Sequence, residues 1–174
     1  MTEMLKNELK QMVERLNAID FLTKEQKKEI EQISWEMYED VMESTKVFQE
    51  FVTSFLQPML DKNDMQINKA LLAHLPKSIL LEGEVLKVTP DRTGIELFKD
   101  PVKDLKLTGN EIEKFNAYTS YDRAFKEKYN QQNEVIKKHV QPIIDSGDKA
   151  KLKKLFYCLP ECPIKFTIMI AFQD

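Results

Sequence analysis

Six carboxylates, Glu29, Glu31, Glu36, Glu39, Asp40 and Glu43, fall within fifteen residues that hold no basic side chain. Four of them, Glu36, Glu39, Asp40 and Glu43, follow i, i+3, i+4, i+7 spacing and so share one face of a helix. Such a face can dock a basic partner, imitate a phosphate backbone or hold a hard cation. The dinuclear-metal version also needs a Glu-x-x-His on a neighbouring helix. Neither His74 nor His139 has a carboxylate three residues before it, so no metal is expected. Two readings remain: a solvated outer face, and a protein-docking face that a cationic partner relieves of its like-charge repulsion. Trp35, the only tryptophan, lies beside Glu36 and Glu39. An aromatic among acids can anchor an interface, or it can seat the N-terminal helix against the long one. The protein-binding candidates are therefore Trp35, Glu36, Glu39, Asp40 and Glu43.

The basic counterpart is Lys149, Lys151, Lys153 and Lys154, with Lys137, Lys138 and His139 upstream. These lysines are the candidates for an alternative function, nucleic-acid binding through the C-terminal helices. Lysine clusters without interleaved arginine or stacking aromatics support that reading only weakly. Tyr118, Tyr121, Phe125 and Tyr129 lie upstream at helical spacing and read as core. Arginine is confined to Arg15, Arg92 and Arg123, so planar bidentate forks for phosphate are scarce. The preponderance of lysine goes with AT-rich coding and hints at a bacterial or phage source.

Cys158-x-x-x-Cys162 lacks two further ligands at zinc spacing. A reactive thiol pair sits at a helix N-terminus, whereas this one follows a helix and encloses Pro160. Two small apolar residues at a tight turn is the simpler expectation. No nucleophile elbow, phosphate loop, dinucleotide fingerprint or zincin helix occurs. His139, within a lysine run, reads as depressed in pKa rather than paired with a carboxylate. No cofactor is expected. An enzyme would have to use carboxylates in an unrecognised arrangement, and that is a further alternative.

The elements that must position these residues read as follows. Leu5, Leu9, Met12, Leu16 and Ile19 form a helical seam. Thr23 and Gln26 match a capping box opening the next helix. From Lys24 to about Leu60 no glycine interrupts the pattern. One stripe is Ile30, Ile33, Met37, Val41, Phe48, Phe51, Phe55 and Met59, and a neighbouring one includes Tyr38, Met42, Val52 and Leu56. Some 35 helical residues would reach roughly 50 Å, so this helix must kink, project or pair, and a homodimer through it is one expectation. A shorter helix from about Asp64 ends before Pro76. Residues 78–107 then read as a small antiparallel meander around the Thr89–Gly94 turn, with 102–107 its third strand. Helices follow over about 110–157, opened at Thr108–Glu111 and broken by Pro142 and Gly147. Residues 164–172 alternate as a strand, and the meander is its simplest neighbour.

The predicted fold is thus α+β and mainly helical. Residues 1–76 form an N-terminal helical hairpin or bundle with one long helix. Residues 77–174 form a small α+β region, its antiparallel sheet made by the central meander and the C-terminal strand. The composition agrees with this: 174 residues, 42% hydrophobic, 32% charged and only four glycines, none of them in the first 77. The net charge of −3 gives no global pull towards nucleic acid or anionic membrane, but it is uneven, −5 over residues 1–87 and +2 over 88–174. Two cysteines, no apolar leader and no 18-residue apolar run predict a cytoplasmic chain with no membrane contact. The expectation is a non-enzymatic interaction protein, a small regulator, inhibitor or adaptor.

Overall fold

Local capping explains where the first helices start and stop. The structure, a computed structural model, describes residues 2–76 and 98–173. Helix α1 (Thr2–Asn17) buries Leu9, Val13 and Leu16 on one face, and Ile19 and Leu22 in the turn after it. Thr23 and Gln26 then cap α2 (Lys24–Phe51) reciprocally: Gln26 N donates to Thr23 Oγ1 at 3.1 Å and Thr23 N to Gln26 Oε1 at 2.9 Å. Helicity continues past Phe51 through a π-helical turn, Val52–Leu56, into α3 (Gln57–Asp61). The wider turn lets the adjacent Phe55 and Leu56 both reach the interior.

Asp64 caps α4 (Met65–His74) by accepting from Gln66 N and Ile67 N. Asp100 does the same for the short α5 (Pro101–Asp104). The long α6 (Gly109–Ser146) opens where Thr108 and Glu111 bond each other and ends before Gly147, which takes φ +69°. It passes through Pro142, four residues beyond the expected break. Asp148 caps α7 (Lys149–Phe156), and α8 (Pro163–Phe172) packs on α7.

The expected sheet is not found among the described residues, and mainly helical is the part of the fold class that stands. Residues 164–172, read as a strand, form α8. An almost wholly apolar run satisfies a period of 2 and a period of 3.6 equally well. Pro163 at the first helical position favours the helix. So does Asn133 of α6, whose Oδ1 accepts from the buried Ile164 N at 2.9 Å and satisfies a donor that the helix leaves orphaned. Residues 102–107, read as the meander's third strand, carry α5 and a turn because Asp100-Pro101 is also a helix-start pair. The rest of the meander, 78–97, lies outside the described residues.

The chain divides into two compact units, and the divisions fall inside α2 and α6. One comprises Met1–Glu43 and Lys126–Asp174. Its core joins Leu16, Ile30, Ile136, Val140, Leu152, Leu155 and Ile168. The other is Ser44–Phe125, with Phe51, Phe55, Leu56, Met59, Leu71, Leu105 and Phe115 inside. There Phe51 stacks on Tyr118 with centroids 4.0 Å apart, and Lys62–Glu111 (3.2 Å) and His74–Asp104 (2.8 Å) tie neighbouring segments. Most of the apolar stripes of residues 24–60 enter these two cores, but Val41 stays 43% exposed and belongs to neither.

Candidate functional site

Along α2 each residue advances by about 100°. Glu36, Glu39, Asp40 and Glu43 therefore cluster on one side, and Ser34, Met37, Tyr38, Val41 and Met42 on roughly the opposite side. The first, Met1–Glu43/Lys126–Asp174 unit uses both sides, for different purposes.

On the acidic side the four carboxylates part company. Asp40 is partly buried and turned inward, accepting from Lys128 Nζ at 2.9 Å and from Gln132 Nε2 at 3.1 Å on α6. The Asp40 hydrogen bond, with Glu36 and Glu43 adding attraction, holds the Lys128 ammonium above its ordinary pKa against a small desolvation cost. Among the described residues Glu36 accepts one bond, at 3.3 Å, from Gln32 on its own helix. Glu39 and Glu43 are exposed. Among the described residues Lys128 is the one cation bonded to this face. Trp35 borders it half-buried, edge-on to Tyr38 at 6.0 Å. The structure therefore keeps Glu36, Glu39 and Glu43 together beside Trp35 and takes Asp40 out as a tie between helices.

Lys149, Lys151, Lys153 and Lys154 are all exposed on α7. Lys151 is drawn aside, 4.0 Å from Asp148 and 5.5 Å above the Phe21 ring. Lys154 lines a recess with Arg15, Asp20 and Tyr157. Four lysines adjacent in sequence thus have different surroundings.

The histidines and cysteines are internal. His139, expected among lysines without an acid, places Nε2 2.6 Å from Glu29 Oε2; the acid comes from a segment 110 residues away, which no local window could pair with it. Cys158 and Cys162 are buried free thiols. Desolvation pushes the Cys158 thiol up to about 12 and raises Cys162 as well, so neither supplies a thiolate near neutrality. No group of three or more His, Cys, Asp or Glu able to hold a metal occurs among the described residues.

The sequence reading has no counterpart for the feature on the other side of α2. A trough of about 460 Å³ runs between α1, α2 and the turn after α7. Leu5, Leu9 and Met12 form one wall, Tyr38, Val41 and Met42 the other, and Leu159 and Pro160 contribute at the turn. Its only signal in the sequence is the surplus width of the α2 stripes. No described helix is long and apolar enough to cross a membrane. No protein-family model, curated protein or solved structure matches this chain.

Proposed function

We propose that this chain is a non-enzymatic protein-interaction module, a small bacterial or phage regulator, inhibitor or adaptor, that docks on a basic surface of a protein partner through the outward face of α2. One observation carries the reading: Glu36, Glu39 and Glu43 stand together beside half-buried Trp35, and the one cation bonded to this face among the described residues, Lys128, is committed to Asp40. Like charges held one turn apart oppose folding slightly. A partner's lysines or arginines offset that repulsion, and the Trp35 ring supplies contact area at its edge. The partner is thus basic around a small apolar depression. The cytoplasm is the compartment we assign, on the support of two unpaired, buried cysteines.

The test uses a protein captured from the cells that make this chain, with binding followed by calorimetry. Glu36→Lys/Glu39→Lys/Glu43→Lys and Trp35→Ala should each weaken binding at least about tenfold. Lys153→Glu/Lys154→Glu should leave it within about twofold, since these lysines lie on another helix. The nucleic-acid alternative predicts the reverse: affinity for DNA or RNA that falls steeply with salt and disappears in the lysine variant.

A further inference from the structure

We propose that the trough between α1 and α2 is a binding site for a single-tailed anionic amphiphile, with the apolar tail along the trough and the anionic head at Arg15 and Lys154. The site is independent of the acidic face, since it uses the opposite side of α2. Its volume, about 460 Å³, falls in the range of small-molecule sites and its walls are mostly apolar. Met12 and Met42 face it, and methionine adapts to tails of differing shape.

Charge fixes which way the ligand lies. Arg15 and Tyr157 line both the trough and the recess beside it, so the two adjoin at that end. Lys154 enters there as a second cation. Among the described residues neither Arg15 nor Lys154 has a carboxylate partner. Asp20 also lines the recess but lies beyond ion-pair reach of both. A guanidinium and an ammonium over an apolar channel suit a carboxylate or phosphate monoester head.

The other charges along the trough do not compete for that end. Lys165 and Glu161 neutralise each other at 2.7 Å. Glu8 stands seven residues before Arg15 on α1, roughly 10 Å away, where an anionic head would be repelled. Leu5 to Arg15 spans about 15 Å of helix, enough for a tail of about ten carbons.

The experiment titrates the full chain with decanoate and with decyltrimethylammonium, below their micelle concentrations, by calorimetry and by methyl NMR of the methionines. Decanoate should bind and shift the Met12 and Met42 methyls, and the cationic amphiphile should bind at least about tenfold more weakly. Arg15→Glu/Lys154→Glu, both exposed positions, should remove that preference while circular dichroism stays unchanged. Val41→Gln, on the trough wall and 43% exposed, should weaken both ligands. Decyl phosphate in a parallel titration identifies the head: tighter binding than decanoate assigns a phosphate source, weaker binding a free carboxylate. Equal affinity for the anionic and cationic amphiphiles, or decanoate binding that survives Val41→Gln unchanged, would overturn the proposal.

Discussion

Asn133 shows how much one polar side chain can decide. Its Oδ1 takes the Ile164 N–H at the start of α8, where Cys162 offers no side-chain cap. Replacing it by alanine leaves a buried donor unpaired and should cost about 1–3 kcal/mol, read by urea unfolding. Asn133→Asp, which keeps an acceptor, should cost less. The capping box at Thr23 and the Thr108–Glu111 bonds are legible in the sequence because each closes within three residues. The Asn133–Ile164 and His139–Glu29 bonds are not, because their partners lie 31 and 110 residues apart. The cysteines allow a second check: both thiols should resist a disulfide reagent at pH 8 in the native chain and react at once after denaturation, since burial raises them.

Carboxylates give the pH dependence. The His74 hydrogen bond holds Asp104 below its ordinary value, and Lys106 with the Ile67 amide does the same for Asp64. Burial alone would raise Glu111, but bonds from Thr108 and Lys62 outweigh it. A carboxyl lowered by folding contributes stability above its unfolded pKa and loses it as pH falls through the folded value. The melting temperature should therefore be flat near neutrality and decline below about pH 4, with a shallower decline in Asp104→Asn.

At the scale of elements, α8 is the instructive case. Its sequence, Pro-Ile-Lys-Phe-Thr-Ile-Met-Ile-Ala-Phe, supports strand and helix alike, and tertiary packing selects the helix. Ile164 and Ile168, four apart, enter the core, whereas Phe166 and Ile170 stay 61% and 54% exposed. A strand would have put all four on one side. Ile168→Ala should therefore cost about 2–5 kcal/mol, and Phe166→Ser well under 1 kcal/mol. Equal costs in denaturant melts would argue for the strand. Helix starts were predictable where a Thr or Asp precedes the first turn, as at Thr23, Asp64, Thr108 and Asp148. The passage of α6 through Pro142 was not, because packing of Ile136, Val140 and Ile143 on either side compensates a lost backbone bond that local propensity counts as decisive.

For the molecule as a whole, the long α2 stripe is shared between the two units, each with its own apolar core. Of the two sides that α2 leaves accessible, the carboxylate cluster would meet its own charge in a symmetric pair, and the trough side is already shared with α1. Sedimentation at tens of micromolar should accordingly give the mass of one chain, 20.5 kDa; twice that mass would return the second-copy interface to α2. The sorting of acids onto α2 and lysines onto α7 was legible from charge spacing alone. The withdrawal of Asp40 from the acidic face was not, since Lys128 and Gln132 reach it from α6.

The docking claim is tested most directly by a photo-crosslinking side chain placed at Glu39, or in turn at Lys153, in the cells that produce this chain. The account predicts a discrete protein adduct from position 39 that Glu36→Lys/Glu43→Lys abolishes, and no discrete adduct from position 153. A nucleic-acid adduct from position 153 with nothing captured at position 39 would contradict it.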